Sequence, residues 1–180
     1  MSSKQDLKFL ESLFIGFFKQ PHIKKTLVAI RKAEITGWEK WLQVELATHL
    51  GTVPSVKEWK QEVRLSLDKR KSDKRSTVSI DFHIHQKGKQ SALALEVKQG
   101  SKMAGCVQGL LRDLKKVNKI KGSQIETRSA WFLGVHPKAT REAVLAEIDY
   151  YAMTKHKFRL DHAHVAIHPI GQTGYSFTVL

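Results

Sequence analysis

The most regular hydrophobic pattern in the chain is an alternation of apolar and polar residues that runs from Ser76 to Gln99. It falls into two halves, STVSIDFHIH and SALALEVKQ, separated by the polar residues QKGKQ. A period of two residues is typical of half-buried strands, and Gly88 between them favours a turn. The stretch therefore predicts a β-hairpin with strands at about 77–85 and 91–98.

The alternation also assigns the residues of each strand to two faces. In the first strand one face carries Val78, Ile80, Phe82 and Ile84, and the other carries Ser79, Asp81, His83 and His85. In the second strand one face carries Leu93, Leu95 and Val97, and the other carries Ala92, Ala94, Glu96 and Lys98. Because the two strands are expected to pair, Asp81, Glu96 and Lys98 are predicted to lie close together.

Two carboxylates and a lysine in this arrangement suit metal-assisted cleavage of a phosphodiester. Asp81 and Glu96 would hold Mg²⁺ or Mn²⁺ through oxygen ligands, and the cation would offset the charge that develops on the phosphate. Lys98 would orient the attacking water and favour its deprotonation. The alternative is a solvated sheet face that carries ordinary charges.

The same residues carry a family resemblance. Ile80-Asp81, followed about fifteen residues later by Glu96-Val97-Lys98, resembles the motif of the PD-(D/E)xK nuclease superfamily, which includes restriction endonucleases, Holliday-junction resolvases and repair exonucleases. Ile80 replaces the proline of the motif. The resemblance implies a restriction-endonuclease-like α/β core in the order αβββαβ, with the Val97 backbone carbonyl as a further metal ligand.

Helical spacing of apolar residues in the flanking segments completes the predicted domain. It predicts helices over about 4–19, 22–34, 37–50, 103–119 and 138–155. Further strands are predicted at about 60–68 and 129–136, with a final hairpin or pair of edge strands within 160–180. The chain is expected to form a single domain, 1–180, in which the resemblance covers 37–155. Residues 1–36 are then an N-terminal helical extension.

The helix at about 37–50 carries two glutamates with different expected roles. Thr36 and Glu39 have the spacing of a capping box, which gives Glu39 a structural role. Glu45 falls on an apolar stripe with Trp38 and Leu42, where a carboxylate is unfavourable unless it is paired or binds a metal. Members of the superfamily often contribute a helix glutamate to the metal site, so the resemblance makes Glu45 a predicted catalytic and metal-binding residue. The alternatives are an ion pair, or a helix rotated so that Glu45 reaches solvent.

Three further residues are predicted to border the site. Gln99 directly follows Lys98, and His83 shares a face with Asp81. Some members of the superfamily place a glutamine near the active site on the helix after the third strand, and Gln108 has that position; a plain surface amide is the alternative.

The histidines also raise the alternative of a zinc site. His83-x-His85 and His162-x-His164 would each place two imidazoles on one strand face, which is a geometry that binds Zn²⁺ or another transition metal.

The charge of the chain indicates a polyanionic partner. Lys and Arg number 31 against 17 Asp and Glu, which gives a formal charge of +14, and the pI is about 9.9. Nucleic acid is favoured, with DNA ahead of RNA, and an anionic membrane surface is the competing partner. The predicted phosphate-binding residues are Lys69, Arg70, Lys71, Lys74 and Arg75 in a charge-dense loop, and Lys102, Arg112, Lys115, Lys116 and Lys119 near the following helix. A solvated loop is the alternative for the first group.

Several functional classes are excluded by missing motifs. The sequence has no P-loop, dinucleotide-binding fingerprint, nucleophile elbow or CxxC pair, and no run of 18 apolar residues. The single cysteine, Cys106, fits a reducing cytoplasm and a structural role.

The sequence thus predicts a Mg²⁺- or Mn²⁺-dependent endonuclease, acting as a homodimer where both strands of DNA are cut. Two alternatives stay open. The first is a non-catalytic nucleic-acid-binding module on the same fold. The second is an assembly protein that oligomerises through the aromatic stripe of the N-terminal helix.

Overall fold

The computed structural model describes residues 3–66, 77–117 and 127–180. The helices are α1 (Ser3–Lys19), α2 (Pro21–Lys32), α3 (Glu39–Leu50), α4 (Met103–Val117) and α5 (Arg141–Tyr151). The strands are β1 (Val56–Ser66), β2 (Thr77–Gln86), β3 (Ala92–Gln99), β4 (Thr127–Pro137), β5 (Ala166–Pro169) and β6 (Tyr175–Val179). The order α3, β1, β2, β3, α4, β4 agrees with the predicted order of the core elements.

The strands form one mixed six-stranded sheet in the order β1-β2-β3-β4-β6-β5. Only β3 and β4 run parallel, with Lys98 of β3 beside Gly134 of β4. α4 provides the crossover that a parallel pair requires. The predicted C-terminal hairpin is present as β5 and β6, and β6 pairs with β4, so the hairpin extends the same sheet.

Helices cover both faces of the sheet and divide the core into two main layers. On one face the aromatic stripe of α1, with Phe14 and Phe17 fully buried, packs with α2, α3 and the Leu93–Leu95–Val97 side of β3. On the other face α4 and α5 pack around Phe132 of β4. Among the described helices, none combines the length and apolar composition that a membrane span requires.

Two glycines allow α4 to approach the ends of β3 and β4 closely. A Cβ atom on Gly100 would lie 2.6 Å from the Cys106 Cβ, and one on Gly134 would lie 2.8 Å from a Leu110 methyl carbon. Both distances are below any real contact, so only glycine permits this packing. The close approach fixes the first half of α4 beside the end of β3, where Lys98 lies.

A buried polar network ties α1 to the opposite end of the sheet. Asp6 lies on the buried face of α1, where its Oδ1 accepts a hydrogen bond from Arg128 Nε at 2.9 Å and its Oδ2 accepts one from the Ser129 hydroxyl at 2.7 Å. Arg128 also donates to Gln86 Oε1 at 2.9 Å and to the Ser91 carbonyl. The network therefore joins α1 to β2, β4 and the residue that precedes β3.

Candidate active site

The predicted catalytic residues converge where β2 and β3 separate. The two strands are paired as far as Phe82, which lies opposite Leu95, so Asp81 is the first residue of β2 beyond the pairing. The Asp81 carboxylate replaces the missing strand partner, because the N–H of Val97 donates a hydrogen bond to Asp81 Oδ2 at 2.7 Å. The N–H and C=O of one residue in a strand point to the same neighbour. The Val97 carbonyl therefore also faces the Asp81 side of β3.

The strands are irregular near Asp81, both in β1 opposite it and within β2 on either side of it. Glu62 of β1 lies opposite Asp81 and has a φ of +52°, which is rare for a residue with a side chain. Ile80 packs with Ala94, whereas Phe82 joins the main core. The prediction that Ile80 and Phe82 share a face is therefore wrong, because the alternation of β2 breaks at Asp81. Strained backbone of this kind is concentrated at functional sites.

Glu96 and Asp81 form a close carboxyl pair. Glu96 is 8% exposed and is hydrogen-bonded to Asp81. Burial, followed by the charge of Asp81, raises the pKa of Glu96 to about 9, and Lys98 opposes this only in part. In the absence of a cation Glu96 therefore keeps its proton at neutral pH. A divalent cation between the two carboxylates would remove the repulsion that the proton relieves.

We expect Glu96→Gln to make the cation-free protein more stable at pH 8 than the wild type. Glu96 has a folded-state pKa of about 9, above its ordinary value of 4.5, so its contribution to stability is lost as the pH rises between those values. The glutamine removes this loss. Thermal unfolding in EDTA should give a higher Tm for the variant at pH 8 and nearly equal Tm values at pH 4.5. Equal Tm values at both pH values would contradict the raised pKa.

Lys98 is held between two carboxylates. Its Nζ lies 3.4 Å from Glu39 Oε1 and 3.4 Å from Asp113 Oδ2. Its side-chain carbons pass over Gly109 of α4, where a Cβ atom would lie 3.9 Å from them. Burial alone would lower the pKa of Lys98, but the surrounding carboxylates, led by Glu39 and Asp113, raise it above its ordinary value. Lys98 is therefore an ammonium ion at neutral pH.

The helix glutamate beside Lys98 is Glu39, whereas the predicted Glu45 is bonded to other residues. Glu39 also accepts a hydrogen bond from the Gln99 N–H at 3.3 Å. Glu45 bonds to His22 at 3.3 Å and to the Trp41 indole at 3.2 Å. The two glutamates are six residues apart, which places them about 9 Å apart along the axis and on different faces of α3.

The predicted capping box of Thr36 and Glu39 is absent, which leaves Glu39 available to contact Lys98. α3 begins after Trp38, which takes the N-cap position and makes no side-chain cap hydrogen bond. Trp38 is buried, and its ring packs edge-on against Tyr175 at a centroid distance of 5.7 Å. The buried residues of α3 are Leu42, Gln43, Leu46, Ala47 and Leu50, so its buried face does not include Glu45. Glu39 is consequently free of a capping role and reaches Lys98.

Asp113 is a site residue that the sequence analysis missed. It is 5% exposed, its Oδ1 accepts a hydrogen bond from Lys116, and its Oδ2 accepts none among the described residues although Lys98 lies close by. The sequence does carry a signal for it: Asp113 is the only acidic residue of α4, whose other charged residues are basic, and it lies four residues after Gly109. Gly109, one turn earlier, has no side chain, which leaves room for the Lys98 side chain to reach Asp113.

A basic cleft of about 340 Å³ adjoins these carboxylates. We use this name for the depression lined mainly by Lys98, Gln99, Gly109, Arg112, Asp113 and Lys116. Of the predicted phosphate-binding residues, Arg112 and Lys116 line the cleft, and Lys102 and Lys115 are exposed nearby. Lys69, Arg70, Lys71, Lys74, Arg75 and Lys119 lie outside the described residues.

The three predicted accessory residues have different positions. Gln99 lines the basic cleft, as expected. Gln108 instead donates a hydrogen bond to Glu147 Oε1 of α5 at 2.9 Å, which corrects its predicted place near the site. His83 is buried, and its Nε2 lies 2.7 Å from the Thr127 hydroxyl at the start of β4. His83 is not among the residues that line the basic cleft.

The C-terminal histidine pair does not lie on a strand face. His162 and His164 lie in a 3₁₀ turn, and their Nε2 atoms contact Asp149 at 2.9 Å and the Ser3 hydroxyl at 2.6 Å. Within 3–66, 77–117 and 127–180, no group of three or more His, Cys, Asp and Glu side chains could hold a metal ion. A cation at Asp81 and Glu96 would therefore also use the Val97 carbonyl and water, as Mg²⁺ commonly does.

Cys106 has a structural environment. It is 2% exposed and packs between Gly100 and Gly134. Burial raises the pKa of its thiol to about 12. The thiol is therefore protonated at neutral pH and is not a nucleophile.

Comparisons of the chain with protein-family models, with curated proteins and with solved structures gave no match. The chemistry of the site is therefore inferred from its geometry.

Proposed function

We propose that this chain is a divalent-metal-dependent nuclease of the PD-(D/E)xK type, which hydrolyses phosphodiester bonds of nucleic acid, with DNA as the favoured substrate. The observation that carries the proposal is the meeting of Asp81, Glu96 and Lys98 where β2 and β3 separate, with Asp81 bonded to the Val97 N–H at 2.7 Å. Hydrophobic and helical packing alone gives no reason to place a buried Glu96 carboxyl group beside the half-buried Asp81 and Lys98.

The donors at this point fit Mg²⁺ or Mn²⁺. Asp81, Glu96 and the Val97 carbonyl are hard oxygen ligands, and two carboxylates plus water suit Mg²⁺. Burial and the charge of Asp81 raise the pKa of Glu96, so the pair holds a proton when no cation is bound. A cation bound to both carboxylates would replace that proton and balance their negative charge. When bound, the cation would supply Lewis-acid activation of water and of the phosphate.

The protein groups around this position have distinct roles in the proposed reaction. Lys98, which is an ammonium ion, donates hydrogen bonds to the attacking water and to the phosphate as negative charge develops. Glu39 and Asp113, each 3.4 Å from Lys98 Nζ, hold this side chain in place. Arg112 and Lys116 in the basic cleft bind the phosphates on either side of the reacting one.

We expect Glu39→Gln to lower the cleavage rate by about 10- to 100-fold, which is the usual effect of residues that orient a site. Glu45→Gln, on the same helix, should leave the rate within about twofold, because Glu45 bonds to His22 and Trp41 instead. Cleavage of a labelled oligonucleotide in Mg²⁺ measures both variants. A larger loss with Glu45→Gln than with Glu39→Gln would contradict this assignment of the helix carboxylate.

A further inference from the structure

A second depression lies directly beside the basic cleft. We name it the Trp38 pocket; it has a volume of about 400 Å³ and is lined by Arg31, Ile35, Trp38, Gln99, Ser101 and Tyr175, among others. The volume is within the range of about 300–1,000 Å³ that is typical of ligand pockets. All of its lining residues belong to the described part of the chain.

The pocket and the basic cleft share Gln99. This residue follows Lys98, and both depressions include it in their walls. Its backbone N–H is bonded to Glu39, which also contacts Lys98, whereas its side-chain amide has no hydrogen-bond partner among the described residues. If one phosphate of a nucleic-acid strand lies in the basic cleft, the neighbouring nucleotide can therefore reach the Trp38 pocket.

The walls of the pocket combine aromatic, cationic and neutral polar groups with one carboxylate, Glu34. Trp38 and Tyr175 are 6% and 8% exposed and pack edge-on at 5.7 Å, so the aromatic part of the wall is rigid and presents only a small part of each ring to the pocket. The Arg31 guanidinium lies over Gly174, where a Cβ atom would collide with it at 1.1 Å, and no carboxylate within 3–66, 77–117 or 127–180 pairs with it. Ile35, at 49% exposure, adds an apolar surface at the rim.

This combination suits one chemical class. The aromatic edges and the exposed apolar side chain favour a planar ring, the Gln99 amide and the Ser101 hydroxyl suit the polar edge of a base, and the Arg31 guanidinium suits a phosphate. A base in a stacked duplex cannot enter a pocket of this kind without leaving the stack.

Resting on the proposed nuclease function, we propose that the Trp38 pocket binds one unpaired nucleobase of the nucleic-acid substrate, next to the phosphodiester that is cleaved. The site then acts on single strands, strand ends or distorted duplexes in preference to an intact duplex. Arg31 and the Trp38–Tyr175 wall are the binding residues, and Gln99 contacts the edge of the base.

The test measures binding separately from cleavage. Fluorescence anisotropy in EDTA gives the affinity for a labelled 12-nucleotide single strand and for the matching duplex. Arg31→Gln removes the free cation, and Ser101→Trp fills the pocket from its exposed rim. The matched controls are Lys32→Gln, which removes the next charge on the same helix, and Ser55→Trp, which adds the same ring at an exposed serine far along the chain.

We expect the wild type to prefer the single strand, and both pocket variants to bind it about tenfold more weakly, which is the scale of one lost base contact. The affinity of the Ser55→Trp control for the single strand should stay within about twofold of the wild type. Lys32→Gln should show only the small loss that follows from removing one positive charge. An abasic site scanned along the strand should reproduce the loss at one position in the wild type only.

Equal affinity of pocket variants and controls for the single strand, or no sensitivity of the wild type to any abasic position, would overturn the base-binding proposal. Binding of a free mononucleotide in the pocket without an effect on strand affinity would overturn it as well, because the pocket would then serve a separate small ligand. These outcomes do not depend on catalysis. Failure of the nuclease assignment would instead appear as absent metal-dependent cleavage with pocket-dependent strand binding intact.

Discussion

Lys98→Ala is expected to lower the rate of metal-dependent cleavage by about 10²- to 10⁴-fold while leaving the fold and the binding of a divalent cation in place. This is the range for loss of a side chain that orients or transfers protons. Lys98 Nζ lies 3.4 Å from both Glu39 and Asp113 and is not a metal ligand in this account. Rates with a labelled oligonucleotide, together with the rise of Tm on addition of Mn²⁺, measure the two effects separately.

The matched control for this variant is Lys8→Ala, which removes an exposed lysine from α1. It should retain the wild-type rate within the small effect of one surface charge. A Lys98→Ala protein that still cleaves at the rate of Lys8→Ala would show that Lys98 has no part in the reaction. Loss of the Mn²⁺-induced rise in Tm along with the rate would show instead that Lys98 holds the cation site together.

Asp6→Ala is expected to lower the free energy of unfolding by about 3–5 kcal/mol, which is typical when one partner of a buried ion pair is removed. The Asp6 and Arg128 side chains are only 7% and 10% exposed. Without Asp6, the Arg128 guanidinium keeps its neutral acceptors Gln86 and Ser91 but loses its only carboxylate partner among the described residues, in a place that water reaches poorly. Urea denaturation followed by circular dichroism measures the change.

Asp149→Ala is the matched control for this stability effect. Asp149 pairs with His162 at 2.9 Å, but the two side chains are 51% and 41% exposed. Exposed pairs of this kind contribute less than about 1 kcal/mol. If Asp6→Ala destabilises the protein no more than Asp149→Ala does, the network between α1 and β4 is not a significant part of the stability of the fold.

The sequence predicted the elements of the core well because they have strong periodicity. The alternation in β2 and β3 and the helical stripes of α1 and α4 reflect burial against two sides of one sheet, and the structure has these elements close to their predicted limits. The pairing of the strands also placed Asp81 and Glu96 together, since adjacent strands bring their side chains within contact distance.

The positions that the sequence misassigned depend on tertiary packing. Glu45 was favoured because it lies on the apolar stripe, but the buried face of α3 runs through Leu42 and Leu46, and Glu39 is the glutamate that contacts Lys98. Asp113 was overlooked because a helix pattern cannot show that glycines bring α4 close to β3.

Two other features are visible only after folding. Asp6 had a signal in the sequence, since it lies one turn before Leu10 on the stripe of α1, but its partner Arg128 is 122 residues away. The Trp38 pocket is built from the end of β3, the segment between α2 and α3, and the start of β6. No local pattern joins these segments.

The central claim is that Asp81 and Glu96 support metal-dependent cleavage of nucleic acid. The most direct test incubates the purified protein and its Asp81→Asn variant with supercoiled plasmid, linear duplex, single-stranded DNA and RNA, each in Mg²⁺, Mn²⁺ or EDTA. We expect products from the wild type with Mg²⁺ or Mn²⁺, none in EDTA, and a loss of at least about 10²-fold in the variant. Binding of these substrates without metal-dependent products, or equal cleavage by Asp81→Asn, would contradict it and favour a non-catalytic nucleic-acid-binding module.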